Sequence, residues 1–288
     1  MAMRTSTERV ALGDSGDGGD EPSDGRFRLA VAVYAGALLA GVVSVAAVLT
    51  AFVRGPLPAV YAAGFVGGFV GGLALAAADP RLPVRLGRTL GRRAAVVVPT
   101  VPFVVIWFAP LEAAVDVVAL WAVITVFTSG YALSQLARNR YVDAVTTGEP
   151  AERWRWTPPG SPVVDALLAG MWLVIGIGDA VTGSPAQGLL WLSLAVFWMV
   201  SCLVEGRWSF GPGRDRCEVQ LYETGLVKRY PYMKTYVSWR DINHARLREG
   251  ELVLDRGLRD VRFDSDELED SDKLLEAIDR QLAARKKR

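Results

Sequence analysis

Histidine is nearly absent: His244 is the only one in 288 residues, and there are just two cysteines, Cys202 and Cys217, with no C-x-x-C spacing. One imidazole and two isolated thiols cannot assemble a multi-histidine or thiolate metal cage. Both cysteines are expected as small buried packing residues, and His244 as an ordinary strand residue. No nucleophile with a matching base and no nucleotide or metal motif emerges, so neither an enzyme nor a cofactor is expected. Lysine is scarce too, five against 27 arginines, and the formal net charge is only +1. From Glu205 onward 18 Lys/Arg face 17 Asp/Glu. That balance argues against a nucleic-acid-binding face.

What the chain has is apolar sequence, 51% of its residues, segregated from its charge. Between two long apolar runs lies Asp79 to Arg93, DPRLPVRLGRTLGRR, with five arginines against one aspartate. Arginine-rich loops of this kind stay on the cytoplasmic side of a membrane. Since about 20 apolar helical residues cross a bilayer core about 30 Å thick, each later run must switch sides from this anchor.

In chain order, residues 1–25 are acidic and glycine-rich and read as a disordered cytoplasmic tail, too polar to offset its ordering entropy. Residues 26–205 read as six transmembrane helices. Leu29 to Val53 is an uncleaved signal anchor, too long for a signal-peptide core. A glycine-rich second span follows, then Ala94 to Phe108, Ala113 to Leu136, Val163 to Val181 and Gly188 to Val204. Outer loops around Pro56, Pro110 and Ser184 carry only Arg54, whereas Arg138, Arg140, Arg153, Arg155 and Arg207 fall inside. Both termini are therefore expected in the cytoplasm of a multi-pass protein of the cell membrane. The third span is short and contains Pro99 and Pro102, which remove backbone donors and kink or interrupt a helix; the alternative is a re-entrant segment. Trp154, Trp156 and Trp208 fall where an inner aromatic belt is expected.

Three sets of residues stand out. Ala32, Gly36, Ala40 and Ser44 in the first span, and Gly64, Gly68 and Gly72 in the second, recur every four residues, the spacing that lets helix backbones approach closely. Arg81, Arg85, Arg88, Arg92 and Arg93, interleaved with Leu82, Leu86 and Leu90, suit contact with anionic lipid as well as setting topology. Asp116, Asp165 and Asp179 are intramembrane carboxylates, functional candidates by default, though all lie near predicted span ends and no basic partner is evident mid-span. Their bland reading is interfacial and structural; the sharper one is an ion or proton pathway.

Beyond Gly206 the hydrophobic period changes from helix to strand. Segments Cys217 to Tyr222, Leu226 to Tyr230, Thr235 to Trp239, Ile242 to Arg248, Glu251 to Leu254 and Leu258 to Phe263 are separated by turn pairs such as Glu249-Gly250. Arg207 to Phe210 is a candidate further strand. Ser271 reads as a helix N-cap, with Leu274, Leu275, Ile278 and Leu282 as one apolar stripe. The basic end Arg285 to Arg288 suits the negative pole of that helix.

YETGLVKRY, the SWRDI of Ser238 to Ile242, and EGELVLD running into LRDVRFD carry a family likeness. This stretch of about 80 residues resembles the bacterial and archaeal PH-like domains attached to membrane spans. The scarcity of lysine beside arginine resembles high-GC, haloarchaeal sequences. The resemblance implies a small cytosolic antiparallel β domain, residues 206–288, closed by a C-terminal helix. It brings no lipid-headgroup motif that maps residue by residue.

The resulting expectation is a prokaryotic six-span membrane protein whose PH-like domain is a non-enzymatic binding or assembly module, with membrane lipids and a protein as its partners. The alternative is a transporter or channel using Asp116, Asp165 and Asp179. A membrane-embedded enzyme ranks third.

Overall fold

A computed structural model describes residues 22–50, 56–208, 217–257 and 260–286. The predicted tail up to Glu21, Arg54, Ser209 and Phe210 of the candidate extra strand, and Lys287 and Arg288 lie outside them. Helix α1 spans Pro22–Thr50, so the last four residues assigned to the tail are helical. Pro22 suits a first turn because its fixed φ is already helical.

Helix α2, Leu57–Ala78, packs on α1 through its small residues. Its buried stripe is Val60, Gly64, Gly68, Gly72 and Ala76. A Cβ on Gly68 would lie 2.3 Å from the Ala35 carbonyl oxygen, and one on Gly72 would lie 2.7 Å from the Ala32 Cα. Two backbones this close exclude any side chain, which is the physical content of the four-residue repeat.

After α2 come two short helices, α3 (Leu82–Gly87) and α4 (Leu90–Ala94). The predicted third span departs from expectation. It forms only the nine-residue helix α5, Thr100–Phe108, about 13 Å long and far short of a bilayer core. Pro99 and Pro102 cannot donate to the carbonyls four residues back. The chain between α4 and α5 instead takes tighter three-residue bonds, Val97 to Ala94 at 2.8 Å and Thr100 to Val97 at 3.0 Å.

Among the described residues five helices, not six, are continuous enough and apolar enough to cross a membrane: α1, α2, α6 (Ala113–Val145), α7 (Pro162–Val181) and α8 (Pro185–Val204). The interrupted stretch nevertheless runs antiparallel along α6. Gly87 packs on Ala137, Gly130 on Val96, and Phe103 clusters with Ala122. Between Ala137 and Ala122 it follows about 22 Å of α6.

Helices α7 and α8 form a hairpin that meets at Gly176 and Gly188. Phe197 joins the hairpin to α6 through Phe127 and Tyr131, with ring centroids 5.3 and 5.2 Å away. The rest of α7 presents Val163, Leu167, Val174 and Val181 outward.

The strands form two antiparallel sheets. One is β1 (Glu152–Arg155), β2 (Glu218–Leu221), β3 (Gly225–Arg229) and β4 (Lys234–Ser238). The other is β5 (His244–Arg248), β6 (Glu251–Asp255) and β7 (Val261–Asp264). Strand β1 was not anticipated; it comes from the loop after α6 and pairs with β2, Trp154 opposite Val219. The α7–α8 hairpin is therefore inserted between the first two strands. Trp154 and Trp156 do not form an aromatic belt, since both are buried in the β-domain core with Val219, Leu252 and Phe263.

Glu249 and Gly250 both have positive φ, 52° and 85°, the backbone required of a tight two-residue hairpin between β5 and β6. Helix α9, Ser271–Lys286, closes the domain through fully buried Leu274, Ala277 and Ile278. Leu275 and Leu282 of the predicted stripe sit at its half-buried flank, so the buried face is centred nearer Ala277 than the leucine pattern suggested.

Candidate functional site

The two parts of the chain are joined by α6, which continues past Leu136 for more than two further turns. Both ends of one side-chain amide hold the β3–β4 hairpin: Asn139 Nδ2 donates to the Tyr232 carbonyl, and Asn139 Oδ1 accepts from the Lys234 backbone N–H, each at 2.8 Å. The Lys234 ammonium pairs with Asp143 one turn further on. Thr224 Oγ1 donates to the Val145 carbonyl at 2.9 Å, and Tyr141 meets Tyr236 edge to face.

Beside this joint lies a cleft of about 870 Å³, lined among others by Tyr141, Val145, Tyr236, Trp239, Arg240 and Arg285. Its walls are tied down. Arg285 donates to the Trp239 carbonyl, Trp239 Nε1 donates to the Tyr222 carbonyl at 2.8 Å, and Tyr236 donates to the Thr224 carbonyl at 2.7 Å. A groove with aromatic walls and two guanidinium groups suits a ligand or peptide carrying negative charge.

The carboxylates Asp116, Asp165 and Asp179 are not brought together. Asp165 and Asp179 occupy opposite ends of α7, about 21 Å apart along its axis, and Asp116 lies in the first turn of α6. Asp165 has a basic partner, which comes from beyond the spans. Arg207, just beyond α8, donates through Nη1 to Asp165 Oδ1 at 2.9 Å. Its guanidinium also lies 3.1 Å from Glu205 and 5.0 Å from the Trp198 ring centroid. Asp165 is 4% exposed, so the pair is a buried one.

The loop arginines divide. Arg81, Arg85, Arg88 and Arg92 are exposed. Arg85 pairs with Asp79 at 3.0 Å, and Arg92 donates to the Arg85 carbonyl. Leu82 and Leu86 anchor the loop against the cluster of Phe27, Val31, Leu133 and Ala137, while Leu90 faces outward. Arg93 turns inward toward Arg138 of α6, a residue the sequence marked only as an inner-loop charge.

Within the β domain burial lowers the Lys228 pKa to about 8, against the weaker opposing pull of Glu267. The ammonium lies 3.7 Å from the Phe263 ring centroid and 4.9 Å from that of Trp156. Burial raises the Cys217 thiol to about 11 and the Tyr230 hydroxyl to about 12, which leaves both protonated and unreactive near neutrality. His244 is exposed on β5, 3.4 Å from Asp255. Among the described residues no three His, Cys, Asp or Glu side chains gather in a way that would hold a metal ion.

No protein-family model, curated protein or solved structure matches this chain.

Proposed function

We propose that the chain is a multi-pass membrane protein with both termini in the cytoplasm, whose C-terminal unit is a PH-like domain acting as a non-enzymatic binding or assembly module. The supporting features are, among the described residues, seven strands in two sheets closed by one terminal helix and five helices of membrane-spanning length, together with arginines concentrated in alternate loops. The interrupted stretch along α6 makes a sixth crossing, which keeps both ends on one side. One face of it packs against α1 and α6 through Val96, Phe103 and Ile106, while Val98, Val101 and Val105 face outward as apolar side chains.

The observation that carries the functional reading is the Asn139 clamp. A module on a flexible tether would need no such joint. Two amide hydrogen bonds and the Lys234–Asp143 pair fix the domain's orientation to α6, so that its cleft opens at a set distance from the bilayer. The occupant of that cleft is the module's ligand or protein partner.

A transport pathway through Asp116, Asp165 and Asp179 has less support, because the three are dispersed and Asp165 is already neutralised by Arg207. Single-cysteine labelling in a background lacking Cys202 and Cys217 tests the topology. Pro110 and Ser184 positions should react from outside, and Arg88 and Thr157 positions only after permeabilisation. Photo-cross-linking from Tyr236 in native membranes tests the module: a discrete adduct is expected. A flux abolished by both Asp165→Asn and Asp179→Asn would replace this reading with transport.

A further inference from the structure

Where the helices meet the β domain, two partly buried arginines, Arg93 and Arg138, lie near enough to act on each other electrostatically. Arg138 has Nε and Nη2 fully covered and without an acceptor, and Arg93 has its Nε in the same condition. The groups that act on Arg138 are Arg93, Glu205, Tyr131 and Tyr230, and Glu205 is already engaged by Arg207 at 3.1 Å. A guanidinium taken out of water without a counter-charge is strongly unfavourable, and a like charge beside it makes matters worse.

The backbone segments that carry them cannot simply move apart. The Arg93 segment is pinned on both sides of that residue, because a Cβ on Gly87 would lie 2.1 Å from the Ala137 carbonyl oxygen and one on Gly130 would lie 2.6 Å from the Val96 carbonyl oxygen. Two neighbouring guanidinium groups whose nearby carboxylate, Glu205, is already engaged by Arg207 form a receptor for a phosphate ester, which each can engage through paired N–H donors.

We propose that Arg93 and Arg138 together hold the phosphate of a net-anionic phospholipid. This rests on the membrane topology above, which sets both residues at the depth of the cytoplasmic headgroups. Arg138 adjoins Asn139, the residue that clamps the β3–β4 hairpin, so the bound headgroup sits at the joint and stiffens the attachment of the β domain.

The test uses the full-length protein in nanodiscs of phosphatidylcholine, with and without phosphatidylglycerol, with thermal unfolding followed by tryptophan fluorescence. Phosphatidylglycerol should raise the wild-type Tm by about 5 °C, the shift of a ligand well above its Kd. Arg93→Gln with Arg138→Gln should abolish that rise. Arg246→Gln with Arg248→Gln, which removes the same charge from an exposed strand, should keep it. In neutral detergent the first double variant should melt no lower than wild type, because a like-charge contact has been relieved. Should it fail to fold, Arg138→Lys keeps the charge without the fork and should lose most of the rise. Equal Tm values in both nanodiscs, or equal loss in the Arg246/Arg248 control, would overturn the proposal. A rise with inorganic phosphate in detergent but none with phosphatidylglycerol would overturn the lipid as source. Carbonate extraction of the same membranes checks insertion separately: if the chain is extracted, the topology fails rather than this site.

Discussion

Arg207 reaches back from the end of α8 to Asp165 in the first turn of α7, closing the hairpin with a 2.9 Å ion pair whose carboxylate is almost wholly buried. Breaking one side of such a pair leaves the other charge uncompensated.

Arg207→Gln should therefore destabilise the protein by about 3–5 kcal/mol, and Asp165→Asn by less, since Glu205 remains beside Arg207. A double-mutant cycle by thermal unfolding should return a coupling of about 1–3 kcal/mol. Additive effects would show that the pair does not hold the hairpin.

The α1–α2 interface predicts opposite outcomes for two neighbouring glycines. Gly68→Ala puts a methyl into the Ala35 carbonyl and should force the helices apart, at a cost of about 1–3 kcal/mol. Gly71 has nothing within 4 Å of an added Cβ, so Gly71→Ala should be neutral or slightly stabilising. Melting curves of the two variants in detergent separate these effects.

In the β domain Leu274→Ala and Ile278→Ala should each cost about 2–5 kcal/mol, whereas Glu276→Ala, exposed on the far side of α9, should stay within about 0.5 kcal/mol. The excised fragment 206–288 lacks β1, and with it Trp154 and Trp156. It should not fold stably. Appending residues 150–158 through a short linker should restore a cooperative, strand-rich circular dichroism transition.

Lys228 gives a pH dependence of definite sign. Its folded pKa, lowered by burial to about 8, lies below the ordinary lysine value of 10.5. Between those values the unfolded chain keeps a proton that the native state has released, so stability should rise with pH across that window. Below it, lysine is charged in both states and the burial penalty is fully present. The Phe263 and Trp156 faces favour the ammonium and moderate the rise. Lys228→Met should flatten this segment of a Tm-against-pH profile; an unchanged slope would assign it to another group.

What the sequence determined by itself was whatever a local period can encode. Apolar runs marked the long helices, the four-residue recurrence of Gly64, Gly68 and Gly72 marked a face that the structure places against α1, and alternation with turn pairs marked β2 to β7. Even Pro99 and Pro102 signalled the interrupted span. Tertiary structure decided the contacts between distant segments. Arg153 to Trp156 alternates as a strand does, yet two tryptophans near a span end read equally well as a belt until β2 arrives to pair with them. Arg207 is 42 residues from Asp165, and Arg93 comes near Arg138 because Gly87 and Gly130 let the chain on either side of Arg93 lie against α6. A period reports which face of an element is buried. The partner buried against that face depends on where the chain returns, and that is settled by packing across the whole molecule.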